Sequence, residues 1–351
     1  MSLDTTGAAV NPLRNQAAGK REVTMKGILL GTILAVASTG CVAPLMHQTR
    51  HGTPTPAQSA ELWEDPTDLA DRDLFAGPWG RALAPDPATT FVWVSTKTVG
   101  VSPGFAVTDA KGLEWSVKQG PEAKTEVVAS RILSAIGYHQ PPVYYLPGWR
   151  ISGGPSAGAQ AEARFRPKHT VMHDEGPWSW HENPFVGTLP YNGLRVLMLI
   201  LNESDLKDSN NSIYEVKIPG DHKTTHRWYI VRDLGTALGE TGRIDPKRND
   251  PDKFARSGFI KGVRNGVVDF DYQGRHQELA DHLSSADVRW TCDLLARLSD
   301  EQWRDAFRAG GYDPTTADRF IARIKQKIAA GQALSHPAST GGPVRNRTHA
   351  R

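Results

Sequence analysis

The sequence contains very little cysteine. Cys41 and Cys292 are the two cysteines among 351 residues, which excludes a framework of several disulfides and a zinc site made of four cysteines. Cys292 lies in the helical pattern Val288–Leu295, whose apolar residues predict an inert core thiol and not a nucleophile. A chain of this length can be held together by its hydrophobic core, as one large or two smaller packed units.

Neither sign of charge dominates. The 41 Lys and Arg residues exceed the 38 Asp and Glu residues so slightly that the formal net charge is +3. This small excess does not indicate a nucleic-acid partner. The sequence shows no internal repeat, and the apolar run near its start, Gly27–Ser38, is too short to span a bilayer as a helix.

The first 41 residues have the pattern of an export signal. A basic pair, Lys20-Arg21, precedes the apolar run, and small residues follow it. This predicts a secretory signal over residues 1–41, with Met25 as an alternative start. Ser38-Thr-Gly-Cys41 resembles a bacterial lipobox, so the chain is predicted to be an exported, membrane-anchored lipoprotein with Cys41 as its lipidation site. Ser38 departs from the lipobox pattern, so ordinary cleavage to a secreted soluble protein, an uncleaved anchor and a plain buried helix remain alternatives.

The segment after the signal predicts a tether. Residues 42–87 are rich in Pro, Thr, Gly and Ala and are interpreted as a tether and lead-in. Five large apolar side chains are expected to dock its second half on the folded domain: Trp63, Leu69, Leu74, Phe75 and Trp79. At the other end, residues 335–351 predict a disordered tail.

The remaining chain predicts an α+β fold. Residues 88–170 contain one amphipathic helix, Thr125–Gly137, and five strand patterns: Phe91–Lys97, Gly104–Thr108, Leu113–Lys118, Val143–Leu146 and Ala161–Arg166. These strands predict a five-stranded antiparallel sheet. Residues 171–334 predict a mostly helical part, with an apolar helix to Leu201 followed by helices at His276–Leu283, Ala286–Leu298, Asp300–Ala309 and Thr315–Ala330.

Polar residues follow abruptly where the apolar helix ends at Leu201. Asp205, Lys207 and Asn210 come within a few residues of that point. A helix that is apolar on nearly every face is typical of a domain interior. Polar groups that directly follow such a helix lie near the core, where burial without partners is unfavourable. The loop is therefore predicted to be a functional site.

The order Asp205-Leu-Lys207-Asp-Ser-Asn210 resembles the catalytic loop of the protein-kinase superfamily. In that loop an Asp orients the acceptor hydroxyl, and an Asn five residues on binds a metal ion. Further along, Trp228–Gly235 is a strand pattern that ends in Asp233-Leu-Gly, similar to the metal-binding Asp-Phe-Gly of kinases.

Two earlier residues match the same family. Lys118 is the cation at the end of the third predicted strand, and Glu126 lies near the start of the predicted helix. In kinases a strand lysine pairs with a helix glutamate and binds the nucleotide phosphates. The short connection between them, and Asn210-Asn-Ser-Ile after the catalytic loop, resemble HipA-type toxin kinases and phosphatidylinositol kinases. Taken alone, an edge-strand lysine and a helix-start glutamate favoured by the dipole would explain both residues.

The segment between the first two predicted strands lies where kinases have a glycine-rich loop. Gly100 and Gly104 permit close approach of the backbone to a ligand, and Ser102 can donate to a phosphate oxygen. The segment lacks Gly-x-Gly-x-x-Gly, so an ordinary hairpin loop is the alternative.

Two regulatory features of protein kinases are lacking. No Ala-Pro-Glu closes the polar segment 235–258, and Glu203-Ser204 stands where those enzymes have His-Arg. Control by phosphorylation of that segment is therefore not expected.

Three histidines raise the question of a second metal site. His169, His173 and His181 occur among tryptophans, and histidines four apart can share a metal ion on a helix. The glycine and prolines of this segment favour a loop, and no cysteine completes a zinc set. The preferred interpretation is an aromatic-rich insertion that shapes the acceptor side of a cleft.

The resemblance covers residues 88–331 and implies a bilobal, Mg²⁺-dependent kinase that uses ATP. Asn210 and Asp233 would hold Mg²⁺, and Lys118 would bind the phosphates. Asp205 would orient the acceptor hydroxyl, and Lys207 would offset charge on the transferred group. The acceptor is a protein, lipid or small molecule that the sequence does not specify. The alternatives are a membrane-tethered pseudokinase or scaffold that binds nucleotide or a partner without catalysis, and an AMP-transferase on the same fold.

Overall fold

The computed structural model describes residues 52–97, 102–168, 171–217, 225–242 and 247–334. The predictions that concern the signal segment with Cys41, the first part of the tether, Gly100, His169 and the tail 335–351 lie outside the described residues.

The larger sheet has seven strands in the order β4-β7-β3-β2-β1-β5-β6. Its strands are β1 Thr90–Thr96, β2 Gly104–Thr108, β3 Glu114–Gln119, β4 Tyr144–Leu146, β5 Trp149–Ser152, β6 Gly158–Gln160 and β7 Ala163–Pro167. Neighbouring strands are antiparallel except β1 and β5, which are parallel. The mixed α+β class is confirmed, whereas the prediction of five antiparallel strands is wrong in number and in the direction of one pair.

The additional strands β5 and β6 come from the Gly- and Ser-rich segment between the fourth and fifth predicted strands. Trp149 and Ile151 alternate with exposed residues along β5 and are buried. Ile151 pairs with Phe91 of β1, and the rings of Phe91 and Trp149 are 6.0 Å apart. Burial of these large side chains outweighs the turn-forming composition around them.

The helix α2 lies against this sheet and spans Glu122–Ala135. It contacts β3, β4 and β7. It begins three residues before the predicted start at Thr125, since Glu122 is its first residue. Residues four apart lie on one face of a helix, so the earlier start brings Glu122 onto the same face as Glu126.

A second sheet has the order β10-β9-β8. Its strands are β8 Met172–Gly176, β9 Asn211–Lys217 and β10 Thr225–Val231. Helix α3, Leu189–Leu201, precedes β9, and every residue from 193 to 201 is buried. The loop with the kinase-like motif therefore connects a buried helix to the central strand of this sheet.

The rest of the described chain is mostly helical. Its elements are α1 Pro56–Ala60, α4 Pro251–Arg256, β11 Ile260–Arg264, β12 Val267–Phe270, α5 Ser285–Ala296, α6 Asp300–Ala309 and α7 Pro314–Gln332. Helix α7 contacts α3, α4, α5 and α6. The helix predicted at His276–Leu283 is wrong: His276 has a left-handed φ of 51°, and only a 3₁₀ turn at Gln277–Ala280 follows.

The second half of the lead-in packs against the helical part. Leu62, Leu69 and Leu74 are buried in the same core as α3. Trp63 Nε1 donates to the carbonyl of Ile136 over 2.7 Å. Among the described helices, none is both long and apolar enough to cross a membrane.

Candidate active site

The end of α3 fixes the start of the loop. Asn202 has a left-handed φ of 58° and ends the helix. Lys327 of α7 donates to Asn202 Oδ1 over 2.7 Å and to the Ile200 carbonyl over 3.0 Å. Asn202 Nδ2 in turn donates to the Gly239 carbonyl over 2.7 Å. The loop therefore leaves the helix from a turn that is bonded to two other segments.

Glu203 connects the loop to the chain after β10. Its Oε1 accepts from the Asp205 backbone N–H over 3.0 Å and from the hydroxyl of Thr236. Tyr272 donates its hydroxyl to the Glu203 carbonyl over 2.8 Å. Burial raises the pKa of Glu203 to about 8, which keeps the carboxyl protonated at neutral pH.

The loop gathers its three predicted site residues. Lys207 Nζ lies 2.7 Å from Asp205 Oδ2. Asn210 Nδ2 donates to the Asp205 carbonyl over 2.6 Å and lies 3.3 Å from Oδ2. Arg275, which sequence reasoning missed, places its Nε 3.3 Å from Asp205 Oδ1. Asp205 is therefore oriented by two cations and one amide, while its side chain stays 29 % exposed.

Asp233 lies beside this loop because β9 and β10 pair. Asn211 of β9 is opposite Val231 of β10, which aligns the residues at the two strand ends. The backbone N–H groups of Arg232 and Asp233 both donate to the Asn210 carbonyl, over 3.0 and 3.3 Å. The two predicted metal ligands, Asn210 and Asp233, are therefore neighbours.

Lys118 of β3 meets three carboxylates from α2 and from the turn after β10, and the region around these four side chains is here called the cleft. Its Nζ lies 2.8 Å from Asp233 Oδ1, 2.9 Å from Glu122 Oε2 and 3.3 Å from Glu126 Oε2. Burial opposes the charge of Lys118, but Glu126 and Asp233 outweigh it and raise the pKa of the ammonium. Burial likewise opposes ionisation of Asp233, but Lys118 outweighs it and lowers the pKa of that carboxyl. Both groups are therefore charged at neutral pH.

Two arginines of β7 complete the arrangement around Glu126. Arg164 Nε lies 3.0 Å from Glu126 Oε1, and Arg166 donates to the same oxygen. Arg166 also donates to the Arg232 carbonyl over 2.6 Å. Sequence reasoning missed both residues, although Arg-Phe-Arg in a strand signals two cations on the face opposite a buried phenylalanine. Lys118 pairs with Arg164 across β3 and β7, which places all three cations together.

Glu122 was missed because the helix was predicted to begin later. Besides Lys118, it pairs with Arg248 and accepts a hydrogen bond from Ser102. Thr125 Oγ1, on the same turn of α2, donates to the Gly235 carbonyl over 2.9 Å. A Cβ added at Gly235 would lie 2.8 Å from Glu122 Cβ, so the Asp-Leu-Gly turn packs directly on the start of α2.

The predicted glycine-rich segment lies over Lys118 where it is described. Gly104 pairs with Lys118 across β2 and β3, and a Cβ there would lie 2.8 Å from the Val117 carbonyl oxygen. Lys97, which sequence reasoning missed, donates its backbone N–H to the Gly104 carbonyl over 2.8 Å. Burial, followed by repulsion from Lys118, lowers the pKa of Lys97, which places the Lys97 amine near that of Lys118.

The oxygen donors of the site suit a hard divalent cation. Asn210 directs its amide nitrogen to Asp205, which leaves its carbonyl oxygen to serve as a ligand. The Asp233 side chain is 41 % exposed, and Lys118 contacts its Oδ1. Carboxylate and amide oxygens together with substrate phosphates are the ligands that Mg²⁺ prefers. The residues present therefore fit a Mg²⁺–nucleotide complex.

No protein-family model and no curated protein matches the sequence significantly. Three similar solved structures are kinases. The proinflammatory kinase CtkA of Helicobacter pylori has 12 % identity and a TM-score of 0.34, covering 70 % of this chain and all of that one. A Golgi casein kinase with Mn and ADP bound has 8 % identity and a TM-score of 0.35 over 71 % of this chain and 73 % of that one. The Rio2 kinase complex with ADP, Mg²⁺ and phosphoaspartate from Chaetomium thermophilum has 13 % identity and a TM-score of 0.27, over 68 % and 72 %. These three TM-scores all lie below 0.5.

Proposed function

We propose that the chain is a kinase-like, Mg²⁺-dependent phosphotransferase that moves the γ-phosphoryl group of ATP to a hydroxyl acceptor. The observation that carries this proposal is the convergence of Lys118, Glu126, Asp205, Asn210 and Asp233 on one cleft. Lys118 is within 3.3 Å of Glu126 and 2.8 Å of Asp233, and hydrogen bonds connect Asp233 to Asn210 and Asn210 to Asp205. Residues from a strand, a helix and two loops are thus joined in one network of side-chain and backbone contacts.

The charges around the cleft suit a triphosphate. Lys118 presents its ammonium group beside Asp233, where phosphate oxygens would replace part of its present carboxylate contacts. Asn210 and Asp233 would hold Mg²⁺, which would neutralise charge on the phosphates when bound. Phosphoryl transfer depends mainly on positioning and charge compensation, so no further nucleophile on the protein is required.

Asp205 is the residue proposed to act on the acceptor. In the proposed step the acceptor oxygen forms a bond to the γ-phosphorus, the bond from that phosphorus to the bridging oxygen breaks, and ADP leaves. Asp205 accepts the hydroxyl proton. Lys207 lies 2.7 Å from Asp205 and supplies positive charge near the transferred group.

The proposal extends to an atypical branch of the kinases, similar to HipA-type and phosphatidylinositol kinases. In support, α2 begins at Glu122, four residues after Lys118, so the connection between strand and helix is short. Glu203, which stands where protein kinases have His-Arg, accepts from Thr236 and so connects the catalytic loop to the turn after Asp233.

Export to the membrane surface through a lipid on Cys41 is part of the same proposal. Its support is the sequence pattern of a basic pair, an apolar run and a small-residue end at Cys41. Mass spectrometry of the mature amino terminus tests it. A diacylglyceryl-modified Cys41 is the expected terminus, and a chain that begins at Met1 or Met25 without lipid would contradict it.

Transfer of label from γ-labelled ATP tests the activity. The full chain is incubated with Mg²⁺ and a soluble protein mixture, and label in protein and released ADP are both measured. Asp205→Asn is expected to slow transfer on the order of 100-fold or more, and Asp233→Asn to abolish it. Asp318→Asn is the matched control, since Asp318 is 59 % exposed and pairs with Arg304 on the helical surface. Equal rates in all four proteins would contradict the proposal.

A binding protein without catalysis is the second candidate. The observation that favours it is that Lys118 already has three carboxylate partners, so the cleft is stable as an ion-pair network. A rise in melting temperature with Mg²⁺–ATP, without transfer of label from γ-labelled or α-labelled ATP, would favour a binding protein without catalysis. Incorporation of label from α-labelled ATP would favour AMP transfer.

A further inference from the structure

Among the described residues, one group of three His, Cys, Asp or Glu side chains converges closely enough to hold a metal ion. It consists of His181, His276 and Glu278. His181 Nε2 lies 3.2 Å from His276 Nδ1 and 3.1 Å from Glu278 Oε1, and His276 Nδ1 lies 3.0 Å from the same oxygen. None of the three belongs to the nucleotide cleft described above.

The sequence did not identify this group. His181 was considered with His169 and His173, but His173 lies on β8, is exposed and pairs with Glu215 of β9. The partners of His181 come instead from a segment 95 residues later that was predicted to be helical. His276 has a left-handed backbone and a 3₁₀ turn follows it, and this local structure directs the side chains of His276 and Glu278 toward His181.

The size of the triangle matches a metal coordination shell. Zinc binds imidazole nitrogen and carboxylate oxygen at about 2.0–2.1 Å with tetrahedral angles, which spaces ligand atoms about 3.3 Å apart. The three observed edges are 3.0, 3.1 and 3.2 Å. Two imidazoles and one carboxylate form the donor set of open zinc sites, in which water is the fourth ligand. The side chains are 15, 32 and 43 % exposed, so water has access to this position.

Glu278 presents one oxygen to both imidazoles. Its Oε1 lies 3.0 Å from His276 Nδ1 and 3.1 Å from His181 Nε2. A metal ion in the triangle would take over the role of the protons that now connect the imidazoles to the carboxylate.

The protein holds the turn that carries His181 in place through other contacts. Asn183 Nδ2 donates to the carbonyls of Ser179 and Trp180, which shapes the turn that carries His181. The Phe185 N–H donates to Asn183 Oδ1 over 2.9 Å. His181 therefore lies in a turn that is already hydrogen-bonded, which lowers the ordering cost of metal binding for this ligand.

Both ligand segments are bonded to the catalytic loop. The Trp180 N–H, next to His181, donates to Asp208 Oδ1 over 3.0 Å. The Arg275 N–H, next to His276, donates to the Ser204 carbonyl over 2.9 Å. An ion at the triangle would thus fasten two segments that flank Asp205.

We propose that His181 Nε2, His276 Nδ1 and Glu278 Oε1 bind one divalent transition-metal ion of the zinc class, with water as the fourth ligand. This site is separate from the Mg²⁺ ligands Asn210 and Asp233 and does not depend on the proposed kinase activity. It holds the aromatic insertion around His181 against the segment that carries Arg275.

Titration of the full, metal-free chain with Zn²⁺ against a chromophoric chelator tests the proposal, and Co²⁺ serves as the spectroscopic probe. One equivalent is expected to bind, and bound Co²⁺ should give the intense visible absorption of four-coordinate geometry. Glu278→Gln and His276→Asn are each expected to weaken binding on the order of 100-fold. Asparagine is chosen for His276 because it tolerates the left-handed backbone.

Two controls separate this site from others. His173→Gln removes an exposed histidine outside the triangle, and Asp233→Asn removes a ligand of the proposed Mg²⁺ site; both should keep full Zn²⁺ affinity and the Co²⁺ absorption. Circular dichroism confirms that each variant is folded, and Glu278→Gln, at an exposed side chain, serves if His276→Asn does not fold. Absence of stoichiometric binding by the folded chain, or equal affinity in Glu278→Gln, would overturn the proposal in favour of a hydrogen-bonded triad without metal.

Discussion

At the scale of single residues, the cleft depends on buried charges that compensate one another. Lys118 is 4 % exposed and is surrounded by Glu122, Glu126 and Asp233. A buried ion pair contributes little net stability, but removal of one partner leaves the other charges buried without compensation. Lys118 is therefore expected to matter for stability as well as for the phosphates.

Lys118→Met is expected to lower the free energy of unfolding by about 3–5 kcal/mol and to abolish the stabilisation by Mg²⁺–ATP. Lys207→Met is the matched variant, because its ion pair with Asp205 is 39 % and 29 % exposed and should contribute less than about 1 kcal/mol. Urea unfolding with and without nucleotide measures both effects. Equal losses of stability in the two variants would show that the cluster around Lys118 is not the buried network described here.

Glu203 gives a prediction about pH. Its pKa rises from 4.5 to about 8 because it is buried, so the folded state binds a proton that the unfolded state releases. The contribution of Glu203 to stability is fully present below pH 4.5 and is lost as the pH rises through about 8. The total loss is on the order of a few kcal/mol.

Glu203→Gln removes this titration and keeps an oxygen that accepts from Asp205 and Thr236. The variant is expected to lose less stability than the native chain between pH 5 and pH 8.5, as measured by urea unfolding at both values. Parallel pH profiles for the two proteins would mean that Glu203 ionises normally in the folded state.

At the scale of elements, the turn after β10 packs against the first turn of α2. The Gly235 position has no room for a side chain, since an added Cβ would lie 2.8 Å from Glu122 Cβ. Any shift of this turn moves Asp233 relative to Lys118. The position of α2 and the geometry of the proposed metal ligands are therefore coupled.

Gly235→Ala is expected to cost about 1–3 kcal/mol of stability and to weaken nucleotide binding, because the turn and α2 must separate. Gly262→Ala in β11 is the control, since a Cβ there meets nothing within 4 Å. Thermal melts with and without Mg²⁺–ATP measure both quantities. A Gly235→Ala protein with unchanged melting and binding would show that the contact with α2 is not required.

The sequence predicted helices and strands best where the apolar residues followed one clear local pattern. The all-round apolar residues of α3 and the alternation in β1 to β3 led to elements that the structure has. The strand β5 was missed because glycines and serines follow Trp149 and Ile151, whose burial depends on a distant partner, Phe91. Long-range pairing of this kind has no local signal.

The residues around the cleft were predicted only in part, because some of them are brought together by contacts between distant segments. Lys118, Glu126, Asp205, Asn210 and Asp233 lie at element ends that a known motif describes, and the structure brings them together. The residues around the cleft that sequence reasoning missed depend on contacts between segments: Lys97, Glu122, Arg164, Arg166, Glu203 and Arg275. The same holds for His276 at the proposed zinc site.

At the scale of the whole molecule, the helical core supports the loop that carries Asp205. Helix α7 reaches α3 through Lys327, whose ammonium is bonded to the Ile200 carbonyl and Asn202 Oδ1. The lead-in contributes Leu62, Leu69 and Leu74 to the same core. The loop with Asp205 therefore rests on packing that extends over most of the described chain, which fixes the geometry of the proposed nucleotide site.

The position of a bound metal ion is the most direct test of the proposed Mg²⁺–nucleotide site. Crystals of the full chain grown with Mn²⁺ and ADP, measured for anomalous scattering, locate the ion without reference to any assay. The expected ion is ligated by Asn210 Oδ1 and an Asp233 carboxylate oxygen, and Lys118 Nζ is expected to contact the phosphates of ADP. Nucleotide and metal bound elsewhere, with the contact between Lys118 and Asp233 unchanged, would contradict it.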